Sequence, residues 1–197
     1  MKQVISLVPD RLAHYRAPVF DNLACDDSYS LAVYADLRSD GSGIRKPTEY
    51  ELGHRNFTFK HSLDYRYKGR LLLSTGSIKA ALDHSEILVL WGDAFAPGNW
   101  VAVALARIQR KKVVFWTHGV YGNESFLKRK IRVFFYSLAD ALLLYGQHAK
   151  KLLIKEGFSP NKLFVINNAL DFKLQNELFE QYQKKMIAEM VSNNDNS

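Results

Sequence analysis

Six short runs of this chain are apolar almost without interruption rather than at alternate positions: QVISLV (3–8), LAVYA (31–35), EILVLW (86–91), KVVFWT (112–117), ALLLY (141–145) and KLFVIN (162–167). Each has strand length, and continuous apolarity implies a strand covered on both faces, as in a parallel sheet between two helix layers. Between the runs the period changes to that of a helix. RAPVFDNLA places Val19, Phe20, Leu23 and Ala24 at helical spacing, so the chain opens as a βα unit. APGNWVAVALARIQR has Pro97 near its first helical position and sets Trp100, Ala104, Leu105 and Ile108 on one side, which is expected to cover the sheet. GQHAKKLLIKEGFSP gathers Ala149, Leu152 and Leu153, then stops at Gly157 with Pro160 shortly after. Residues 37–75 give a weaker signal, a polar Gly-containing loop followed by one or two short strands within NFTFKHSLDYRYKGRLLL. The pattern predicts an α/β protein: one Rossmann-like, doubly wound domain with a mainly parallel sheet over residues 1–172. A helix-prone amphipathic segment and frayed tail follow over 173–197.

In open sheets of this kind ligands gather beyond the carboxyl ends of the strands. Four loops are then expected on the working edge: residues 9–16, 36–47, 92–99 and 118–124. His118 and Gly119 follow KVVFWT directly. An average histidine is more often structural, but one at a strand's carboxyl end beside glycines, which let a backbone approach a ligand, reads as functional. Asp93 follows EILVLWG in the same way, with Asn99 opening the next helix; a turn residue and a helix cap are the equally weighted alternatives. The loop PDRLAHYRAP collects Arg11, His14, Tyr15 and Arg16 ahead of a helix N-terminus, a setting for an anion or simply a solvated charged loop.

Composition narrows the chemistry. The 197 residues suffice for one domain with a full core, and a 47% hydrophobic, 24% charged make-up is that of a globular chain. A net charge of +7 favours anionic surroundings such as nucleic acid, lipid headgroups or phosphorylated ligands. No recognition helix or RNP-like motif accompanies the charge, so no nucleic-acid partner is expected. The one cysteine, Cys25, suits a reducing compartment and reads as a small apolar core residue. The opening MKQVISLVPDR reads as a first strand and not a signal peptide, and Asp93 and Asp140 interrupt the longest apolar stretches before they reach membrane-spanning length. There is no GxGxxG after the first strand, no GxxxxGK[ST], and no CxxC, HExxH, DxDxDG or GxSxG spacing, so dinucleotide, P-loop, zinc, calcium and serine-hydrolase readings lack their residues, and no metal site is expected. SFLKRKIRVFFYSL (125–138) sets Lys128, Arg129, Lys130 and Arg132 beside Phe126, Leu127, Ile131, Phe134, Phe135 and Leu138. Such a helix can lie on an anionic membrane surface, or pack its apolar side on the sheet with its basic side solvated.

Two stretches carry a family resemblance: ILVLWGDAFAPGNWVAVALARIQRKKVVFWTHGVYGNE and LADALLLYGQHAKKLLIKEGFSPNKLFVINNALD, together with the opening HYRAPVFDNLA. The order of strand, THG, helix, AD strand, YG-HAKK-L---GF helix and N-LD resembles the N-terminal, acceptor-side half of family-four glycosyltransferases of the two-domain GT-B type. The likeness runs over roughly residues 1–172 and is weakest over 37–75. It implies retaining transfer from a nucleotide-sugar co-substrate without a required metal or other cofactor, in polysaccharide, lipopolysaccharide or glycolipid synthesis. It also implies that His118 hydrogen-bonds a hydroxyl of the transferred sugar, with Arg11, His14, Tyr15, Arg16, Asp93, Asn99, Gly119 and Tyr121 along the cleft. The first loop departs from the family in lacking glycine, and no counterpart of the donor-binding C-terminal domain follows Asp171.

On this reading the chain binds a sugar or lipid-linked acceptor and works with a donor-binding domain or separate polypeptide. It is expected to be cytoplasmic and peripheral on the inner face of the membrane. An apolar cleft face lacking its second domain predicts self-association into a homo-oligomer. The alternative is a non-enzymatic binding or scaffold module that keeps the fold and its membrane or partner contacts.

Overall fold

The computed structural model describes residues 2–167 together with positions 179, 180, 182 and 183. Seven strands form one wholly parallel sheet: β1 (Gln3–Val8), β2 (Tyr29–Ala35), β3 (Thr58–His61), β6 (Ile87–Trp91), β7 (Lys112–Thr117), β8 (Ala141–Leu144) and β9 (Leu163–Val165). Their order across the sheet is β3-β2-β1-β6-β7-β8-β9, so the winding reverses between β1 and β6. That is the doubly wound Rossmann-like arrangement the apolar runs predicted. The six predicted runs coincide with six of these strands to within two residues at each end.

Right-handed crossovers place the helices before and after the reversal on opposite faces. Alternate residues of each strand serve the two sides. Leu88, Leu90, Val113, Phe115, Leu142 and Leu144 pack under α3 (Thr75–Leu82), α4 (Pro97–Ile108), α5 (Phe126–Ser137) and α6 (Gln147–Lys155). Leu7, Leu31, Val33, Val89 and Trp116 meet α1 (Ala17–Leu23) and α2 (Glu49–Gly53) on the other face, where Phe20 is fully buried. Helix ends follow their local chemistry: Thr48 and Glu51 form a capping box at α2, and Gly157, at φ +93°, ends α6 where the sequence placed the stop.

The ambiguous stretch holds β3 and a separate antiparallel hairpin of β4 (Asp64–Tyr67) and β5 (Arg70–Ser74). Its turn is Lys68-Gly69, with φ of 47° and 77°, the two-residue turn with both central residues at positive φ. The hairpin lies against α4 so closely that a Cβ on Gly98 would come within 2.8 Å of the Leu73 Cα. Helix α3 was not anticipated.

Two expectations are corrected. The buried side of α4 is Asn99, Ala102, Val103 and Ala106, while Ile108 is 75% exposed; the small alanines let the helix approach the sheet and α3, which the larger side chains would hold off. Cys25 is exposed, at the end of α1, rather than in the core; its Sγ contacts the Asp21 carbonyl and the Asn56 amide. The expected helix of 173–197 lies outside the described residues except for the four positions noted, which are helical.

Candidate active site

The carboxyl edge of β7 is held by a hydroxyl clasp. Thr117 Oγ1 shares a 2.6 Å hydrogen bond with the buried Tyr136 hydroxyl and accepts one from the Gly119 amide, while the Tyr136 hydroxyl donates to the Gly119 carbonyl. Gly119 has φ +76°, and a Cβ there would stand 3.0 Å from that of Ala149. Only glycine turns the chain here without strain. The turn presents His118 on the side of the sheet that carries Trp91, Trp116 and Tyr145.

The register explains that company. Trp91 pairs with Trp116 across β6 and β7, and Thr117 pairs with Leu144, so the next residues, His118 and Tyr145, come side by side. The imidazole stacks on Tyr145 at 4.4 Å between centroids and meets the edge of Trp91 at 5.5 Å, with Tyr121 at 6.5 Å. Two guanidiniums flank this shelf. Arg16, at the start of α1, donates to the Tyr145 hydroxyl at 3.0 Å and lies 5.7 Å from the Trp116 ring. Arg132, from α5, pairs with Glu124 at 3.0 Å and lies over Tyr121 and Phe95 at 4.9 and 5.2 Å. Burial of the imidazole, then the charges of Arg16 and Arg132, hold the His118 pKa below its ordinary 6.5. Near pH 7 the ring is neutral, with one nitrogen to donate and one to accept, and no hydrogen bond to it is found among the described residues.

The other predicted residues divide. Tyr15 stands near Tyr145, and Tyr121 is half exposed beside His118. Arg11 is held by Asp10 and Asp40, both at 2.6 Å, in an ion-pair network that includes Arg66, so it faces carboxylates rather than the histidine. His14 Nδ1 sits 3.2 Å from the Arg45 carbonyl. Asp93 makes a turn, accepting from the Phe95 amide at 2.8 Å. Asn99 is 3% exposed and turns inward to donate to the Trp91 and Asp93 carbonyls. For Asp93 the turn alternative describes the geometry; Asn99 is not the expected cap, since Ala96 is the N-cap of α4, and it braces the β6–α4 loop instead.

The four cations read as a membrane-facing set do not act alike. Arg132 points into the site, its side chain only 11% exposed, and Arg129 is paired with Glu156, which caps the end of α6; Lys128 and Lys130 remain outside. Both arginines find a carboxylate inside the fold, and pairing there offsets the cost of burying them.

Tyr145, Trp91, Trp116 and Phe95 were not singled out from the sequence. A signal for the first three was present: Trp91 closes β6, Trp116 is the last residue but one of β7 and Tyr145 directly follows β8, and their parity and register put them on the same face as His118.

Among the described residues no group of three His, Cys, Asp or Glu side chains comes together as a metal site would require, and no helix is long and apolar enough to cross a membrane. A cleft of about 470 Å³ opens at the carboxyl ends of β2 and β3, lined by Asp36, Arg38, Glu49, His61, Ser62 and Lys79 among others. It stands on the same edge as His118, on the far side of the winding reversal.

The description Glycosyltransferase Family 4 matches residues 32–174. The chain belongs to this glycosyltransferase family. Among solved structures, this glycosyltransferase domain is similar to S. aureus MnaA with UDP (TM-score 0.58, 16% identity, 85% of this chain and 45% of that one). It is also similar to the UDP-GlcNAc 2-epimerase of Neisseria meningitidis bound to UDP-GlcNAc (0.53, 17%, 83% and 46%) and to Anabaena HepE in complex with UDP (0.53, 13%, 85% and 44%). These likenesses are of fold. The glycosyltransferase domain spans less than half the length of each. No curated protein matches it.

Proposed function

We propose that this domain is the acceptor-binding half of a retaining, nucleotide-sugar-dependent glycosyltransferase, completed by a donor-binding domain or a separate polypeptide. The observation that carries the reading is the aromatic shelf at the end of β7, where a neutral His118 is stacked on Tyr145 and flanked by Arg16 and Arg132. Glycosyl transfer builds positive charge on the sugar ring and negative charge on the departing diphosphate. A neutral imidazole can orient a sugar hydroxyl without repelling the ring, and fixed guanidiniums oppose the charge of the leaving group. Aromatic walls exclude water from the cleft and strengthen both effects. The acceptor is placed along the carboxyl edge, towards the mixed-charge cleft at β2 and β3.

Polysaccharide, lipopolysaccharide or glycolipid synthesis is the setting this reading favours, at the cytoplasmic face of a membrane. Its support is the outer side of α5, where Phe126, Leu127 and Phe134 are more than half exposed beside Lys128 and Lys130. The same surface would serve a non-enzymatic binding module, which is the competing reading.

Calorimetric titration of the isolated domain with UDP-, GDP- and ADP-sugars, in parallel with His118→Ala, tests the proposal. Little or no binding is expected, with transfer to an acceptor appearing only when a family donor domain is supplied, and lost in the variant. Tight donor binding by the isolated domain, abolished in His118→Ala, would overturn the division of labour. A reconstituted activity indifferent to His118→Ala would favour the binding module.

A further inference from the structure

A parallel sheet needs cover on both faces, and among the described residues this one lacks it in one place. Helices α3 to α6 cover one face along its length, whereas the described helices contributing to the other core are α1 and α2, beside β1 and β2. Over β7, β8 and β9 that second face is left with Val114, Leu143 and Ile166 partly buried and Phe164 50% exposed. A groove of about 390 Å³ runs from β1, β2 and α1 to the edge of this region; its lining includes Leu7, Leu31, Val89, Trp116, Leu143 and Ile166 and carries no charged side chain. Helix α1, with seven residues, reaches only its near wall, where Leu23 is 45% exposed.

The same chain carries an apolar stripe of matching kind. At 100° per residue, Leu178, Phe179, Tyr182, Met186 and Met190 fall within about 120° of arc, the width of a core-facing helix stripe, with Glu180, Gln181 and Lys184 opposite, Lys185 at its edge and Glu189 entering it only in the last turn. The described positions 179, 180, 182 and 183 are helical, and Phe179 and Tyr182 are 63% and 72% exposed. Among the described residues the groove is uncovered, and Phe179 and Tyr182 of the stripe are exposed. We propose that residues 178–190 dock as a helix across the β7–β9 side of this groove and complete the second helix layer of the sheet.

Reach and concentration favour the chain's own segment over other occupants. Ile166 lines the groove, and the link from Asn167 to Glu177 can span roughly 35 Å when extended, against about 19 Å for the four strand spacings from β1 to β9. A segment tethered by a short stretch of its own chain has an effective concentration on the order of millimolar, well above the micromolar concentration of a second copy in dilute solution. Docking would cover apolar surface beside the His118 shelf and leave the carboxyl edge open.

Hydrogen exchange followed by mass spectrometry on the full chain is the deciding experiment. Amides of 178–190 should be protected by about tenfold or more over a fully exposed segment, to the same extent at 5 and 50 µM. Replacing the stripe by Leu178→Asp/Tyr182→Asp/Met186→Asp should abolish the protection and raise the binding of a hydrophobic dye several-fold, whereas Gln181→Asp on the opposite side should do neither. A photo-crosslinking benzoylphenylalanine in place of Tyr182 gives a second readout that leaves the sheet untouched; it should label peptides containing Val114, Leu143 or Phe164 of the same molecule. Free exchange of 178–190 in the unmodified chain overturns the proposal. So does protection that grows with concentration, or crosslinking between molecules, either of which would make a second copy the occupant.

Discussion

A sugar hydroxyl needs a partner that can both give and take a proton, and imidazole meets that need only while neutral. Removing a neighbouring cation relieves repulsion of the imidazolium and favours it, so Arg16→Gln is expected to raise the His118 pKa towards 6.5, which a proton NMR titration of the ring reads directly. In a reconstituted enzyme, the hydroxyl contact should weaken as pH falls through the depressed pKa, and the Arg16→Gln variant should lose activity at a higher pH than the unmodified domain. No displacement of the activity profile in Arg16→Gln would mean that His118 protonation does not govern the contact. Gly119 belongs to the same site by a different route. Gly119→Ala puts a Cβ at positive φ and 3.0 Å from Ala149, so a loss of about 1–3 kcal/mol is expected in denaturant unfolding. The His118 pKa should change with it, because the turn aims the ring. The place of both residues at the carboxyl edge of the sheet was legible in the sequence, because a histidine and glycine directly follow an apolar run of strand length. Arg132 was legible only as a surface cation, since nothing in the helix's own pattern shows that Glu124 and Tyr121 of the preceding loop fold back over it.

At the opposite end of the sheet, β1, β2, α3 and β7 are tied through one carboxylate. Asp83 accepts from Ser6 and Lys111 at 2.6 Å and from Tyr34 at 2.8 Å, and Lys111 is nearly fully buried. Burial would raise the Asp83 pKa, but hydrogen bonds from Lys111, Ser6 and Ser85 outweigh it and hold the carboxyl well below the usual range. A folded-state pKa below the unfolded one gives stability that is fully present above about pH 4 and drains away as pH falls below it. Lys111→Met leaves Asp83 without its cation, and a loss of roughly 3–5 kcal/mol is expected from chemical denaturation. The double variant Asp83→Asn/Lys111→Met should recover part of that loss; a double variant less stable than the single one would mean that the ion pair is not what Lys111 contributes. None of this network was read from the sequence, because its bonded pairs lie up to 77 residues apart and become neighbours only when the strands align. The strands themselves were readable, since burial on both faces writes an unbroken apolar run. Helix α3 and the turn that pairs β4 with β5 were not, although one or two short strands were expected there, because a short helix with two buried alanines leaves a weak stripe and Lys-Gly is a poor advertisement for a turn. In α4 the large residues suggested the wrong face, as close packing there depends on small ones.

For the molecule as a whole the question is what its excess of positive charge does. The net charge of +7 is spread over the sequence, but two of the four cations of α5 are neutralised internally, which leaves Lys128 and Lys130 beside exposed Phe126 and Leu127 as the surface on which a membrane reading depends. Each lysine close to an anionic bilayer contributes about 1 kcal/mol, so removing both as Lys128→Gln/Lys130→Gln should weaken binding to phosphatidylserine-containing vesicles by roughly 30-fold. The apolar side is tested separately: Phe126→Ser/Leu127→Ser should weaken binding while leaving its salt dependence in place, because insertion of side chains is not screened and headgroup attraction is. Sedimentation with vesicles at 50 and 300 mM salt, with neutral phosphatidylcholine vesicles alongside, distinguishes the contributions. Equal binding to neutral and anionic vesicles would remove the lysines from the account. No binding to either would leave α5 as a solvated basic helix over the sheet, and the acceptor of the proposed transferase would then be sought among soluble sugars rather than lipid-linked ones.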